Sequence, residues 1–134
     1  MEKIRIYGRA EWLGIVEAEA IVSSKPLEGF TNVDPAKGYT TEREHPLFKK
    51  QYTDKVLVFP SPRGSGGFLM YGYGAKPAAF LHTETCPLAV AAVCAAHIPS
   101  MTDFDRDPCE VIETGDMVLV NADEGYVEIT KKRS

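Results

Sequence analysis

The sequence predicts an α/β domain built on a mixed sheet, with a parallel β-α-β core and antiparallel outer strands. Three observations carry this. The apolar run Val56-Leu57-Val58-Phe59, after Lys55, is too short for a helix and leads into Pro60-Ser61-Pro62-Arg63-Gly64-Ser65-Gly66-Gly67. Such a run, followed by Pro and Gly, reads as a buried strand. The Ala/Val-rich stretch 87–96 reads as a helix, with Pro87 in its first turn and Thr85 as its cap. Segments alternating apolar and polar residues lie towards both ends of the chain and read as half-buried strands. The resulting order is β-β-loop-β-α-β-α-β-β-β, which combines a parallel crossover unit with antiparallel neighbours.

In chain order, Ile4, Ile6 and Ala10 alternate with Arg5, Tyr7 and Arg9, giving one first strand, and Gly14 marks a bend. Residues 15–22 alternate apolar and acidic side chains, and their β-branched residues favour strand over helix. Residues 25–54 are punctuated by Pro26, Gly29, Pro35, Gly38 and Pro46 too closely for long elements. A loop of this length is functional or mobile. Its His45, beside Glu42, Arg43 and Glu44, reads as a solvated loop residue.

Phe68-Leu69-Met70-Tyr71 starts a helix that ends at Lys76-Pro77, and residues 78–82 form a short buried strand. Helix 87–96 is apolar nearly all round, so it is buried on more than one side or covered by a partner. Cys94 reads as a small core residue there. Residues 98–102 form a strand. Asp103, Asp105, Arg106 and Asp107 form a solvated or Arg-paired loop, and Pro108 starts one helical turn. Gly115-Asp116 and Asp123-Glu124-Gly125 set off two strands of a terminal hairpin.

The loop after Phe59 is the strongest chemical signal. Its glycines leave room for a ligand to approach the backbone, and N–H groups between a strand and a helix can gather round an anion. Arg63 adds a planar fork for carboxylate or phosphate, and Ser65 a hydroxyl. A tight β–α connection with no ligand fits the same residues. The pattern is not a Walker loop, a dinucleotide fingerprint or a Gly-x-Ser-x-Gly elbow.

With 134 residues, one domain spanning 1–134 is expected. The net charge of −4 argues against a nucleic-acid surface, and Lys131-Lys132-Arg133 reads as a solvated terminus. No apolar run reaches the roughly 18–20 residues of a membrane span, and the start lacks a signal peptide's apolar core, so a cytoplasmic location is expected. Cys86, Cys94 and Cys109 are odd in number and lie 8 and 15 residues apart, which suits reduced thiols and no standard zinc or iron–sulfur motif. No metal is assigned to this chain.

The chain resembles the small subunit, or swivelling domain, of the aconitase X hydro-lyases. The resemblance spans nearly the whole sequence. It runs through Gly8-Arg9, Asn32-Val33-Asp34-Pro35, Glu44-His45-Pro46-Leu47 and the strand ending Phe59-Pro60. Later matches are Lys76-Pro77-Ala78-Ala79, Ile98-Pro99, Thr114-Gly115-Asp116 and Asp123-Glu124-Gly125-Tyr126-Val127. Its most specific part is Arg63-Gly64-Ser65. The family pattern carries several serines after Arg-Gly, whereas Ser65 is followed by Gly66-Gly67, so only Ser65 carries over.

The resemblance implies an aconitase-like swivelling β/β/α fold and a two-subunit dehydratase. Ser65 would be the catalytic base, with Arg63, Gly64, Gly66 and Asn32 contacting a small anionic substrate. It places an iron or iron–sulfur centre on a large subunit, without which this chain is inactive. Cis-3-hydroxy-L-proline is the first substrate expected, since the 103–108 stretch and the altered serine run look like bacterial members. Phosphomevalonate is the alternative, and a non-catalytic anion-binding module is the reading from another class.

Overall fold

The computed structural model describes residues 2–27, 32–62, 69–84 and 87–132. The strands are β1 (Lys3–Tyr7), β2 (Arg9–Trp12), β3 (Ile15–Val22), β4 (Val33–Asp34), β5 (Tyr39–Thr40), β6 (Val56–Phe59), β7 (Ala79–His82), β8 (Ser100–Thr102), β9 (Met117–Asn121) and β10 (Tyr126–Thr130). The helices are α1 (Pro87–Ala96) and α2 (Pro108–Val111). Eight strands form one sheet in the order β1-β10-β9-β3-β6-β7-β8-β2, and β4 and β5 pair separately. Strands β3, β6, β7 and β8 run parallel, while β1, β10 and β9 are antiparallel and join the others through β3. The mixed sheet is therefore as expected.

Strands β1 and β2 stand at opposite ends of this order yet are joined by Gly8 alone, so the sheet curls round on itself. The single first strand expected from Ile4 to Ala10 is thus two strands. A Cβ at Gly8 would lie 2.6 Å from Cδ1 of Phe104 and 2.9 Å from the Thr102 carbonyl oxygen. Sheet closure, which local alternation does not report, forces the break.

The curl divides the apolar residues into two cores by strand alternation. Val56, Val58, Leu81, Met101, Val118 and Ile129 fill the inside of the curl. Leu57, Phe59 and Phe80 point to the other face, where Ala92, Val93 and Ala96 of α1 cover them. Both faces being covered, every residue of β6 and β7 is buried.

Several local expectations are corrected. The helix expected to start at residues 68–71 is one 3-10 turn, Leu69–Gly72. A Cβ at Gly72 would sit 2.7 Å from the Ala92 carbonyl oxygen, and Gly74 adopts a left-handed φ of +65°, so close packing on α1 and a turn end it early. Segment 25–54 contains the β4–β5 pair, and Leu27, Val33, Leu47 and Tyr52 anchor it in the second core. His45 is buried rather than solvated, at 7% exposure. Its Nδ1 accepts the Leu47 N–H at 3.0 Å and its Nε2 lies 3.0 Å from the Pro26 carbonyl, which fixes a neutral ring with the proton on Nε2. Cys94 is exposed, because α1 packs through its opposite face.

The C-terminal lysines are not a solvated tail. Lys131 Nζ lies 2.6 Å from Oδ2 of the buried Asp116 and 2.8 Å from the Val111 carbonyl. The Lys132 N–H donates to Asp116 Oδ1 at 2.9 Å. Burial works against ionising Asp116, but Lys131 and the N–H groups of Lys132 and Glu113 outweigh it and hold its carboxyl below the usual value. Arg133 lies outside the described residues.

Candidate functional site

Strand β6 ends at Phe59, opposite His82, the last residue of β7. The loop singled out in the sequence therefore leaves the carboxyl end of a central parallel strand, where open α/β sheets place their ligands. Its base is tied on two sides. The Pro60 carbonyl accepts from the N–H groups of Thr83 and Glu84, each at 3.1 Å. On the other side the Leu27 N–H donates to the Ser61 carbonyl at 3.1 Å, and Leu27 forms an isolated bridge with Pro62. Arg63, Gly64, Ser65 and Gly66 lie outside the described residues, as does the Thr85 cap.

Asn32 is half-buried immediately before β4, and its carbonyl accepts from Thr41 N–H at 3.0 Å and Thr40 Oγ1 at 2.6 Å. Its backbone thus closes the 32–41 hairpin. Asp34 shapes the same hairpin, its Oδ1 accepting from Ala36 N–H at 3.1 Å and Lys37 N–H at 3.2 Å.

Beside the base of the loop lies a polar group that the sequence left unassigned. His82 is fully buried, stacks on Phe59 with ring centroids 5.4 Å apart, and meets the Glu11 carboxyl through Nε2. Its Nδ1 lies 2.9 Å from the Glu84 carbonyl. The position of His82 at the end of an apolar run was a usable signal. Glu11 was not, because it reaches His82 from β2, at a register shift between Ala10 and Trp12.

Next along the chain, Thr83 Oγ1 lies 3.2 Å from Asp107 Oδ1 and 3.9 Å from Cys109 Sγ. Asp107 caps α2 by accepting the Cys109 N–H at 2.9 Å, with Pro108 in the first turn as expected. Burial first, then the carboxylates of Asp107 and Glu110, push the Cys109 thiol up to about 11, so it is a poor nucleophile at neutral pH. The other acids of this stretch are also engaged locally. Asp103 pairs with Arg9, and Asp105 Oδ1 accepts the Tyr7 N–H at 3.0 Å.

Among the described residues no group of three or more His, Cys, Asp or Glu could hold a metal ion. No helix of the described residues is long and apolar enough to cross a membrane.

Residues 5–129 match the family described as the aconitase X swivel domain. The chain belongs to this family. It is 37% identical over 137 residues to the phosphomevalonate dehydratase small subunit of Methanosarcina mazei, covering 98% of this chain and 95% of that one. Its identity to the protein of the same name in Pyrococcus horikoshii is 34% over 131 residues, covering 94% and 96%. The crystal structure of Thermococcus kodakaraensis aconitase X in its holo form superposes with a TM-score of 0.85 at 31% identity, covering 96% of this chain and 99% of that one. The aconitase X swivel fold and the dehydratase small-subunit class agree with the expectations from sequence.

These names favour phosphomevalonate over cis-3-hydroxy-L-proline, the first substrate expected. The 103–108 stretch itself is engaged locally, pairing with Arg9, bonding Tyr7 and capping α2.

Proposed function

We propose that this chain is the small subunit of a phosphomevalonate dehydratase, a swivelling domain spanning 1–134 that works in the cytoplasm with a large subunit. The observation that supports it most is the near end-to-end similarity to a small subunit of that name. Phosphomevalonate carries a carboxylate and a phosphate, which suits a Gly-rich segment that carries Arg63 and follows a parallel strand in the sequence.

In this reading Ser65 takes a proton from the carbon beside the carbinol. The C–H electron pair becomes the double bond as the C–O bond breaks, and the hydroxyl departs, with a proton, as water. A serine of ordinary pKa is a weak base, so its anionic form needs stabilising. Arg63 and the N–H groups of Gly64 and Gly66 would supply that and help hold the substrate, with Asn32 as a further contact. The iron or iron–sulfur centre implied by the family belongs to the large subunit in this reading. The described residues of this chain offer no donor set that fits it, and no step through it is assigned to them.

The test is co-expression with the candidate large subunit, followed by assays of phosphomevalonate and cis-3-hydroxy-L-proline dehydration. Phosphomevalonate turnover is expected from the complex and none from the isolated chain. Ser65→Ala should lower turnover at least about 10²-fold with little change in Tm. Turnover of hydroxyproline alone overturns the substrate, and near wild-type turnover by Ser65→Ala moves the base to another residue.

A further inference from the structure

We propose that Glu11 and His82 form a positioning pair that fixes Pro60, just beyond the end of β6, for dehydration; the catalytic part rests on the dehydratase reading above. The Glu84 carbonyl facing His82 Nδ1 can only accept, so Nδ1 carries a proton. One further proton is then shared between Nε2 and the Glu11 carboxyl. Either an imidazolium faces a carboxylate or a neutral ring faces a carboxylic acid, and both arrangements hold the same geometry.

The pair is costly as mere filling. The His82 and Glu11 side chains are only 1% and 8% exposed. Apolar side chains of similar volume commonly give equal or greater stability than a buried ionisable pair. Phe59 and Phe80 beside it show that this layer accepts apolar rings. Strand β2 nevertheless shifts register at Glu11, a device that re-aims a side chain.

The pair acts on Pro60 through a short series of contacts. Glu11 holds His82, and His82 donates to the Glu84 carbonyl, which sets the turn 82–84. Two N–H groups of that turn, from Thr83 and Glu84, grip the Pro60 carbonyl. Pro60 is the first residue beyond β6 and stands three residues before Arg63. A displacement of about 1 Å at a reacting group can cost about 10²-fold in rate, so this hold bears on turnover without touching substrate.

Glu11→Ala, Glu11→Gln and His82→Phe separate positioning from packing. Gln keeps a donor for Nε2, and Phe keeps the stack on Phe59 without the hydrogen bonds. Amide hydrogen exchange in the full chain should be about 10-fold or more faster at Thr83 and Glu84 in Glu11→Ala and His82→Phe, but near wild type in Glu11→Gln. In the complex with the large subunit, kcat for phosphomevalonate should fall about 10-fold or more for the first two variants, with KM little changed, and recover in Glu11→Gln. Unchanged exchange at those two amides overturns the proposal. So does unchanged kcat for Glu11→Ala in an active complex, or Glu11→Gln behaving like Glu11→Ala in both measurements. If the wild-type complex leaves phosphomevalonate untouched, the dehydratase reading falls, while exchange still decides whether the pair holds the turn.

Discussion

The two halves of the sheet use polar residues in opposite ways. In the antiparallel half, charge faces outward. Arg5 bonds Glu128 at 2.8 Å and lies 4.1 Å over the Tyr126 ring, on a surface open to water. The buried acid of that half, Asp116, is met by Lys131 and two backbone N–H groups, so it works as a fastening. In the parallel half, β6 and β7 are buried on both faces, and ionisable residues gather where the strands end. One half closes the molecule, and the other gathers buried ionisable side chains at its strand ends.

The largest effect that bears on this contrast is expected at Phe80. It is 1% exposed, stands edge-on to Phe59 with centroids 6.4 Å apart, and packs in the core under α1. Phe80→Ala should cost about 3–5 kcal/mol in urea unfolding. A cost below about 1 kcal/mol would mean that the helix layer contributes little to the parallel half. An intermediate effect is expected at Asp116. Asp116→Asn should cost about 2 kcal/mol at neutral pH, as a charge-assisted hydrogen bond is lost. The folded carboxyl titrates below its unfolded value, so its contribution is present above that unfolded value. It disappears as pH falls through the folded one. The stabilities of wild type and Asp116→Asn should therefore converge in acid, and a gap independent of pH would show that ionisation of Asp116 contributes nothing. The smallest effect belongs to the exposed face. Arg5→Ala should shift Tm by less than about 2 °C and by less still at high salt. A larger, salt-insensitive shift would erase the contrast between outward charge and inner fastening.

The sequence made the locally determined parts legible. Residues 15–22 alternate, 56–59 form an unbroken apolar run, and 87–96 combine Ala and Val behind a proline, and each became the expected strand or helix. Whatever depends on closure stayed hidden. Nothing near Gly8 announces that Phe104 and Thr102 will crowd it, and nothing near His45 announces Pro26. The strand that precedes Arg63 and Ser65 in the sequence was legible for the same local reason, whereas the partnership of Glu11 with His82 requires the shifted register of β2.

The curl also sets an order of assembly during synthesis. Strands β6, β7 and β8 follow one another in the chain and can pair soon after they emerge. Strand β1 must wait for β10, and β3 for β9, which come much later in the chain. At about 5–20 residues per second that wait is on the order of ten seconds. Over this interval the aliphatic faces of β1 and β3 have no antiparallel partner from their own chain. The acidic residues Glu17 and Glu19, spaced along the outer side of β3, put like charge on a strand that neighbouring nascent chains would otherwise recruit.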